Sequence, residues 1–465
     1  MSTLVTIKQN KFTCYIFAYI SGYIYTYSLA PFSIWVLAII SPLLLLITFS
    51  IYRNKYLSLS YCYGAGYFAA GSWIWHSLMD HSSCGYIWSS IITLMFTLVL
   101  AITFLPIGFM HKIIANKNKI LTCIVFPLAW LLCEILRGYS SFAYPWLMIG
   151  YSQTSSPLIS LLPYLGPYLF SVLIISISSL IWGLFSIKKR YIKTLFALCL
   201  LTLAGITMLA ANQHVESQNK KLSLTIIQGN IVPEDKWEAR QLANIIKLYK
   251  TIMNQYNNTN NLFFLPETAI PVVPKSSQHD FSAIESHLNS SKSGAIIGTF
   301  DYNIASKAIY NAAITLGKAS GKLYKTKLVA FGEIIPDIPG LKFIIEKLAL
   351  PMVTLAAGAR EQKLVEFNNH KIAIFICYEI AFPAEVIARS KGADIIVVLS
   401  DNAWFGSSSS SYQHRQIAQF YAHYLQKPIV YVNNNGLSAV INSSGDILKS
   451  LELQKREAFS YELSY

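Results

Sequence analysis

Charge is what this chain has least of. Asp, Glu, Lys and Arg make up only 13% of its 465 residues, against 54% hydrophobic residues, and the mean hydropathy is +0.43. Soluble domains carry roughly 25% charged residues, so an ordinary soluble protein is excluded. Acidic residues are the scarcer sign, 23 against 37 basic, for a net charge of +14. No CxxC or mixed Cys/His spacing suggests a metal site. No zinc-finger spacing or Walker-type glycine loop backs the positive charge with a nucleic-acid or nucleotide motif, and no internal repeat is present. Cysteine is almost missing from the second half: beyond Cys199 only Cys377 remains, so it has no disulfide partner there.

Long apolar runs are what the chain has in their place. They fall near 12–29, 32–52, 57–78, 87–110, 119–136, 158–187 and 193–211, each close to the roughly 20 residues that a membrane-spanning helix needs. The first reads as an anchor, because no small-residue cleavage pattern follows it and more spans come after. Basic residues sit in every second connection: Lys8 and Lys11, Arg53 and Lys55, Lys112, Lys117 and Lys119, then Lys188, Lys189, Arg190 and Lys193. The alternate connections hold Asp80 and Arg137 alone. The positive-inside rule therefore places the N-terminus in the cytoplasm and residues 212–465 across the membrane after about seven crossings. These eleven basic residues also explain much of the net charge without nucleic acid. The expected domains are a transmembrane domain over 1–211, a linker over 212–220 and a globular domain over 221–465.

In the globular half, short β-rich runs at 222–228, 262–265, 295–299, 309–315, 372–376, 395–399 and 429–432 alternate with helical patterns at 234–256, 281–288, 383–390 and 412–426. That alternation predicts a layered α/β domain. Three segments carry candidate chemistry: Glu267 just past an apolar strand, the loop from Tyr324 to Glu333 with Lys325 and Lys327, and Cys377 followed by Tyr378 and Glu379. A lone cysteine is often a small packed hydrophobe, and a lone Glu or Lys a surface ion. Together they supply a thiol nucleophile, a base to take its proton and a cation for the thiolate and the later oxyanion.

These segments resemble the Glu-Lys-Cys triad of the nitrilase (carbon–nitrogen hydrolase) superfamily. With a multi-helix anchor in front, the chain resembles its apolipoprotein N-acyltransferase family. Further likeness lies in Gln228–Ile231 with Lys236 and Trp237, in Arg137-Gly138 with Tyr144–Trp146 and Gly150–Gln153, and in 400–406 and 433–436. The resemblance implies a polytopic α-helical membrane domain joined to a nitrilase-like αββα sandwich, in a bacterial inner membrane with the catalytic domain on the periplasmic side. It implies a ping-pong N-acyltransferase. Glu267 would be the base, Cys377 the nucleophile that takes an acyl chain from a phospholipid as a thioester, and Lys325 the oxyanion stabiliser. The acceptor would be the α-amine of a lipoprotein's N-terminal diacylglyceryl-cysteine. Glu333 and Glu379 would support the triad, Tyr378 would shape the pocket, and Trp237 and Trp146 would contact lipid. The partners are then a phospholipid, a diacylglyceryl lipoprotein and the membrane, with no nucleic acid, no metal or organic cofactor, and a monomeric chain.

The apolar segment 338–353, with Phe343 and Ile344 as substrate contacts, reads as a lid that dips into the lipid interface or as a helix packed on its own domain. Against the family's usual pattern, Ala330 replaces a proline and the helix around 419–427 lacks the usual Arg and Glu. The family's closing membrane helix does not follow before Tyr465, so the C-terminus is expected outside the cytoplasm. A membrane-tethered amidase or hydrolase with the same triad, and a scaffold or transporter, remain alternatives. Few ionisable residues in the spans argue against transport.

Overall fold

A computed structural model describes residues 12–82, 85–114, 118–139, 143–211, 220–256, 258–272, 278–330, 332–334 and 354–465. The chain forms two compact units, Met1–Trp75 with Tyr86–His214, and His76–Gly85 with Val215–Tyr465.

The first unit is helical. Among the described residues, four helices are long and apolar enough to cross a membrane, over Gly85–Ile114, Lys119–Tyr139, Pro157–Ser186 and Arg190–Ala211, and a shorter apolar helix spans Leu37–Ile51. Helices Thr13–Tyr23 and Tyr56–Phe68 pack backbone to backbone. A Cβ on Gly22 would lie 2.0 Å from the Tyr63 carbonyl oxygen, and one on Gly66 would lie 2.0 Å from that of Tyr19. Small residues at a crossing let apolar helices approach where no hydrophobic drive separates lipid from protein.

One stretch of this unit is irregular yet buried. Residues Pro145–Leu147 and Ile149–Gln153 form short 3₁₀ turns whose backbone groups find side-chain partners. Glu134 accepts from the Ile149 amide at 2.9 Å. Arg137 and Tyr67 donate to the Leu147 carbonyl at 3.2 and 2.7 Å, and Tyr25 to that of Met148 at 3.1 Å. Buried backbone outside regular helices needs partners of this kind.

The second unit holds two six-stranded sheets. The strands are β1 (Lys221–Gln228), β2 (Leu262–Ile270), β3 (Gly294–Asn303), β4 (Ala308–Gly317), β5 (Lys322–Tyr324), β6 (Val365–Phe367), β7 (His370–Ile376), β8 (Ile395–Ser400), β9 (Ile429–Asn433), β10 (Ala439–Ile441), β11 (Ile447–Ser450) and β12 (Glu457–Ser464). One sheet runs β12-β1-β2-β3-β4-β5 and the other β11-β10-β9-β8-β7-β6. Their inner strands β1-β2-β3 and β7-β8-β9 are parallel.

Alternate residues explain the layering. Leu262 and Phe264 join Ile374, Ile376, Val397 and Val430 in a core between the sheets. Phe263 and Leu265 face the other way, into a second core with Ile245, Tyr249 and Ile284 from helices Leu242–Gln255 and Gln278–Ser290. Helix Ser410–Leu425 packs on β9 and β10 of the second sheet. The result is the αββα sandwich. At roughly 1.5–3 kcal/mol for each large side chain buried, the core between the sheets outweighs any one ion pair, so the fold holds the polar site in place.

Candidate active site

The site gathers at the carboxyl ends of the parallel strands, where α/β sheets expose backbone and loops to a ligand. Glu267 lies on β2 at an irregularity. The β2–β3 register shifts between Leu265 and Ile270, and Thr268 has a φ of +44°, so this bulge re-aims the side chain. Gly298 on β3 makes room for it, since a Cβ there would sit 2.2 Å from the Pro266 carbonyl oxygen and 2.6 Å from the Glu267 Cα.

Glu267 is buried, and its Oε1 accepts from Lys325 Nζ at 3.0 Å and Asn311 Nδ2 at 2.8 Å. Its Oε2 accepts from the Asp401 amide at 3.1 Å. Lys325, equally buried, reaches Glu333 Oε1 at 2.9 Å, and Asn311 donates to that same oxygen at 2.8 Å. One ammonium is therefore clamped between two carboxylates. Burial alone would disfavour the Lys325 cation, but Glu267 and Glu333 outweigh it and hold its pKa well above the usual lysine value. Burial, with the neighbouring Glu333 and Asp401 charges, raises the Glu267 pKa against the opposing pull of Lys325. A carboxylate that binds protons more readily than usual suits a general base. Lys327 instead lies 3.5 Å from Glu385 and is more exposed.

Cys377 follows β7 immediately and has a φ of +56°, the left-handed region that non-glycine residues seldom occupy. Burial pushes its thiol pKa up, as do the Glu267 and Glu333 charges, while Lys325 and the Ser400 hydroxyl oppose the shift. The thiol thus needs a base and a cation beside it to react at neutral pH.

Glu379 ties this elbow to the lysine loop. Its Oε2 accepts from the Ile376 amide at 2.8 Å, and its Oε1 from the Thr326 amide at 2.7 Å, the Thr326 hydroxyl at 2.6 Å and Arg389 Nη1 at 3.0 Å. Burial would raise its pKa, yet Arg389 and these donors outweigh it and lower the value. Tyr378 donates to the Leu328 carbonyl at 3.0 Å from the same elbow. Glu333 Oε2 accepts from the Val329 amide at 2.8 Å, which closes the lysine loop on itself.

The structure therefore brings Glu267, Lys325, Glu333, Cys377, Tyr378 and Glu379 into one neighbourhood. Trp237 is 45% exposed and its ring lies 5.8 Å from that of Phe300. Trp146 belongs to the helical unit, 4% exposed against Trp73. Phe343 and Ile344, with the expected lid, lie outside the described residues.

Sequence reasoning missed several members. Asn311, which bridges both carboxylates, was visible only as a polar residue inside the apolar run 309–315. A second buried pair, Lys236 with Asp401, stands behind Glu267: Lys236 also donates to the Glu267 carbonyl and the Thr268 hydroxyl at 3.3 Å each. Arg389 had no motif at all. Where the family's helical Arg and Glu are lacking, Gln419 donates to the Gly445 carbonyl at 2.9 Å and Lys427 to that of Ser390 at 3.0 Å, so neutral acceptors take the place of ion pairs. Among the described residues no His, Cys, Asp and Glu group could hold a metal ion.

A carboxylate–ammonium–thiol cluster at the strand ends of an αββα sandwich defines a carbon–nitrogen hydrolase domain, and residues 223–463 match the family described as carbon-nitrogen hydrolase. Residues 21–180 match the apolipoprotein N-acyltransferase N-terminal domain. The chain belongs to the apolipoprotein N-acyltransferase family. It is 30% identical to the apolipoprotein N-acyltransferase of Azotobacter vinelandii over 444 residues, 94% of this chain and 86% of that relative. It is 29% identical to that of Coxiella burnetii over 449 residues, 95% of this chain and 92% of that relative. Among solved structures, a CN-hydrolase superfamily protein from Xanthomonas campestris aligns at 16% identity with a TM-score of 0.40, covering 53% of this chain and 91% of its own.

Proposed function

We propose that this chain moves an acyl chain from a phospholipid to the α-amine of a lipoprotein's N-terminal diacylglyceryl-cysteine, through a thioester on Cys377. The observation that carries the reading is the buried Glu267–Lys325–Glu333 clamp beside Cys377, in a chain whose helical half matches the acyltransferase family's own N-terminal domain.

Glu267 takes the Cys377 proton. Its Oε1 already accepts two hydrogen bonds and its Oε2 one, so Oε2 keeps a free lone pair for that proton. The thiolate attacks the ester carbonyl, and the Lys325 ammonium stabilises the tetrahedral oxyanion. Collapse breaks the ester C–O bond, the lysophospholipid oxygen leaves with the proton from Glu267, and the acyl group stays on sulfur. In the second half-reaction the acceptor amine attacks the thioester and Glu267 takes its proton. The Cys377 thiolate then leaves and is reprotonated as the amide is released. Glu333 holds the other side of Lys325, and Glu379 keeps the lysine loop against the elbow.

The chain is a membrane protein. The reading further places it in a bacterial inner membrane as a monomer. Residues 1–211 form the membrane domain and 212–220 the linker, and the catalytic domain at 221–465 lies on the periplasmic side, which the alternating basic loops support. Trp237 and Trp146 are proposed lipid contacts. The test is a chase: detergent-purified enzyme preincubated with phosphatidylethanolamine receives a diacylglyceryl-cysteine peptide, and the products are weighed. N-acylated peptide supports the transferase. Free fatty acid with unmodified peptide would mean a hydrolase with the same triad.

A further inference from the structure

Two groups meet behind the Cys377 elbow that the acyl-transfer steps do not use. The parallel register pairs Ile376 of β7 with Leu399 of β8, so the next residues, Cys377 and Ser400, come abreast at the strand ends. The Ser400 hydroxyl lies 3.8 Å from Cys377 Sγ. From helix Ser410–Leu425, His414 reaches in with Nε2 3.1 Å from the Cys377 carbonyl oxygen and Nδ1 3.3 Å from Ser400 Oγ. Both side chains are fully buried.

Their protonation follows from the partners. A carbonyl oxygen only accepts, so His414 Nε2 carries the hydrogen. Burial pushes the imidazole pKa down to about 3, so the ring is neutral, has one N–H, and Nδ1 is an acceptor. The single Ser400 hydrogen then faces three acceptors, His414 Nδ1, Asn402 Oδ1 at 3.0 Å and Cys377 Sγ, of which the first two lie 3.2 Å apart and must share it. While the sulfur is a neutral thiol it is the weakest of the three. Once Glu267 removes the proton, the anionic sulfur becomes the strongest, since a hydrogen bond to an ionised acceptor is roughly twice as strong as a neutral one.

We propose that Ser400 is the hydroxyl that turns to stabilise the Cys377 thiolate, and that His414 is the positioning residue whose Nε2–H holds the strained Cys377 carbonyl, while its Nδ1 only competes with the sulfur for the hydroxyl hydrogen. Bond rotation is the only change: the hydroxyl hydrogen leaves Asn402 and His414 for the sulfur when the thiolate forms and returns when the sulfur is acylated. The charged groups that act on the same sulfur are Glu267, Lys325 and Glu333, and they stay fixed through this rotation.

The inference rests on Cys377 as the nucleophile, so its test reads the thiol directly and needs no acyl donor. Iodoacetamide alkylation of Cys377 in the detergent-purified full chain, followed by peptide mass spectrometry across pH, gives the midpoint of thiolate formation. Ser400→Ala is expected to move that midpoint up by about one pH unit, the loss of one hydrogen bond to a charged group. His414→Gln places an amide N–H where Nε2–H stood and removes the acceptor at Nδ1. Its midpoint is expected at or below the wild-type value, because the hydroxyl loses a competing partner. A Ser400→Ala profile superimposed on wild type overturns the proposal, as does an upward shift in His414→Gln equal to that of Ser400→Ala. If the wild type takes no acyl group from phospholipid yet Ser400→Ala still shifts the midpoint, the acyl-transfer reading fails and the hydroxyl's role stands.

Discussion

Glu379 shows how much one side chain can carry without touching a substrate. It accepts from Ile376 on one side and from Thr326 and Arg389 on the other, so the Cys377 elbow and the lysine loop share one carboxylate. Glu379→Gln would leave the Arg389 guanidinium buried without its counter-charge, at a cost of about 3–5 kcal/mol, and would let the loop bearing Lys325 drift. A lower melting temperature and slower acyl-enzyme formation are expected together. The lowered Glu379 pKa sets the pH sense: its contribution is present above the unfolded carboxyl value and is lost as pH falls through the lower folded value. Acid melts should therefore converge for wild type and Glu379→Gln at low pH and separate towards neutrality. Glu267 behaves oppositely. Its raised pKa means that acylation of Cys377 should fail on acidification while ordinary carboxylates are still ionised, and the pH profile of acyl-enzyme formation checks this.

Among the elements, the β2 bulge is the device that turns Glu267 out of a buried strand towards Lys325. Gly298 permits it, because any Cβ there meets backbone of Pro266, Glu267 and Thr268. Gly298→Ala should cost about 1–3 kcal/mol by overpacking. By displacing Glu267 it should also slow acylation on the order of 10²-fold, although it removes no polar group. Rates of acyl-enzyme formation beside thermal melts separate the two effects. The inner strands were legible in sequence because both their faces are buried and they read as unbroken apolar runs. Of the outer strands only β4, the apolar run at 309–315, was. β5, β6 and β10 are three residues long, β11 is exposed throughout, and β12 alternates Phe459 and Leu463 with polar residues. Only their pairing with neighbours defines them. The helix expected over 234–256 is divided, with Pro233–Lys236 separate from Leu242–Gln255. The break lets Lys236 turn inward to Asp401, a tertiary demand that local propensity does not register. Glu267 and Cys377 were legible from their places at strand ends, whereas Lys325 was singled out from Lys327 only by the family resemblance. Asn311, Arg389 and His414 were not legible, and Ser400 showed only as the first residue of the family-like stretch 400–406, since a buried polar residue announces its role only through its partners.

At the scale of the whole molecule, one chain carries an apolar helical half and a globular half whose thiol needs protection from water. A thioester that is to be passed to an amine must outlast hydrolysis, which favours a donor and an acceptor both held by the bilayer. The alternating basic loops predict that protease added to spheroplasts removes the globular half, while protease added to inverted vesicles leaves it intact and cuts near 188–193; the reverse pattern would overturn the orientation. The central claim is the acyl group on sulfur. Intact mass of the detergent-purified chain, taken with phosphatidylethanolamine and no acceptor, should rise by one acyl chain. That mass should map to Cys377, be removed by neutral hydroxylamine as a thioester is, and be missing from Cys377→Ala. An unchanged mass in the wild type, or an acyl group that persists in Cys377→Ala, would contradict the account.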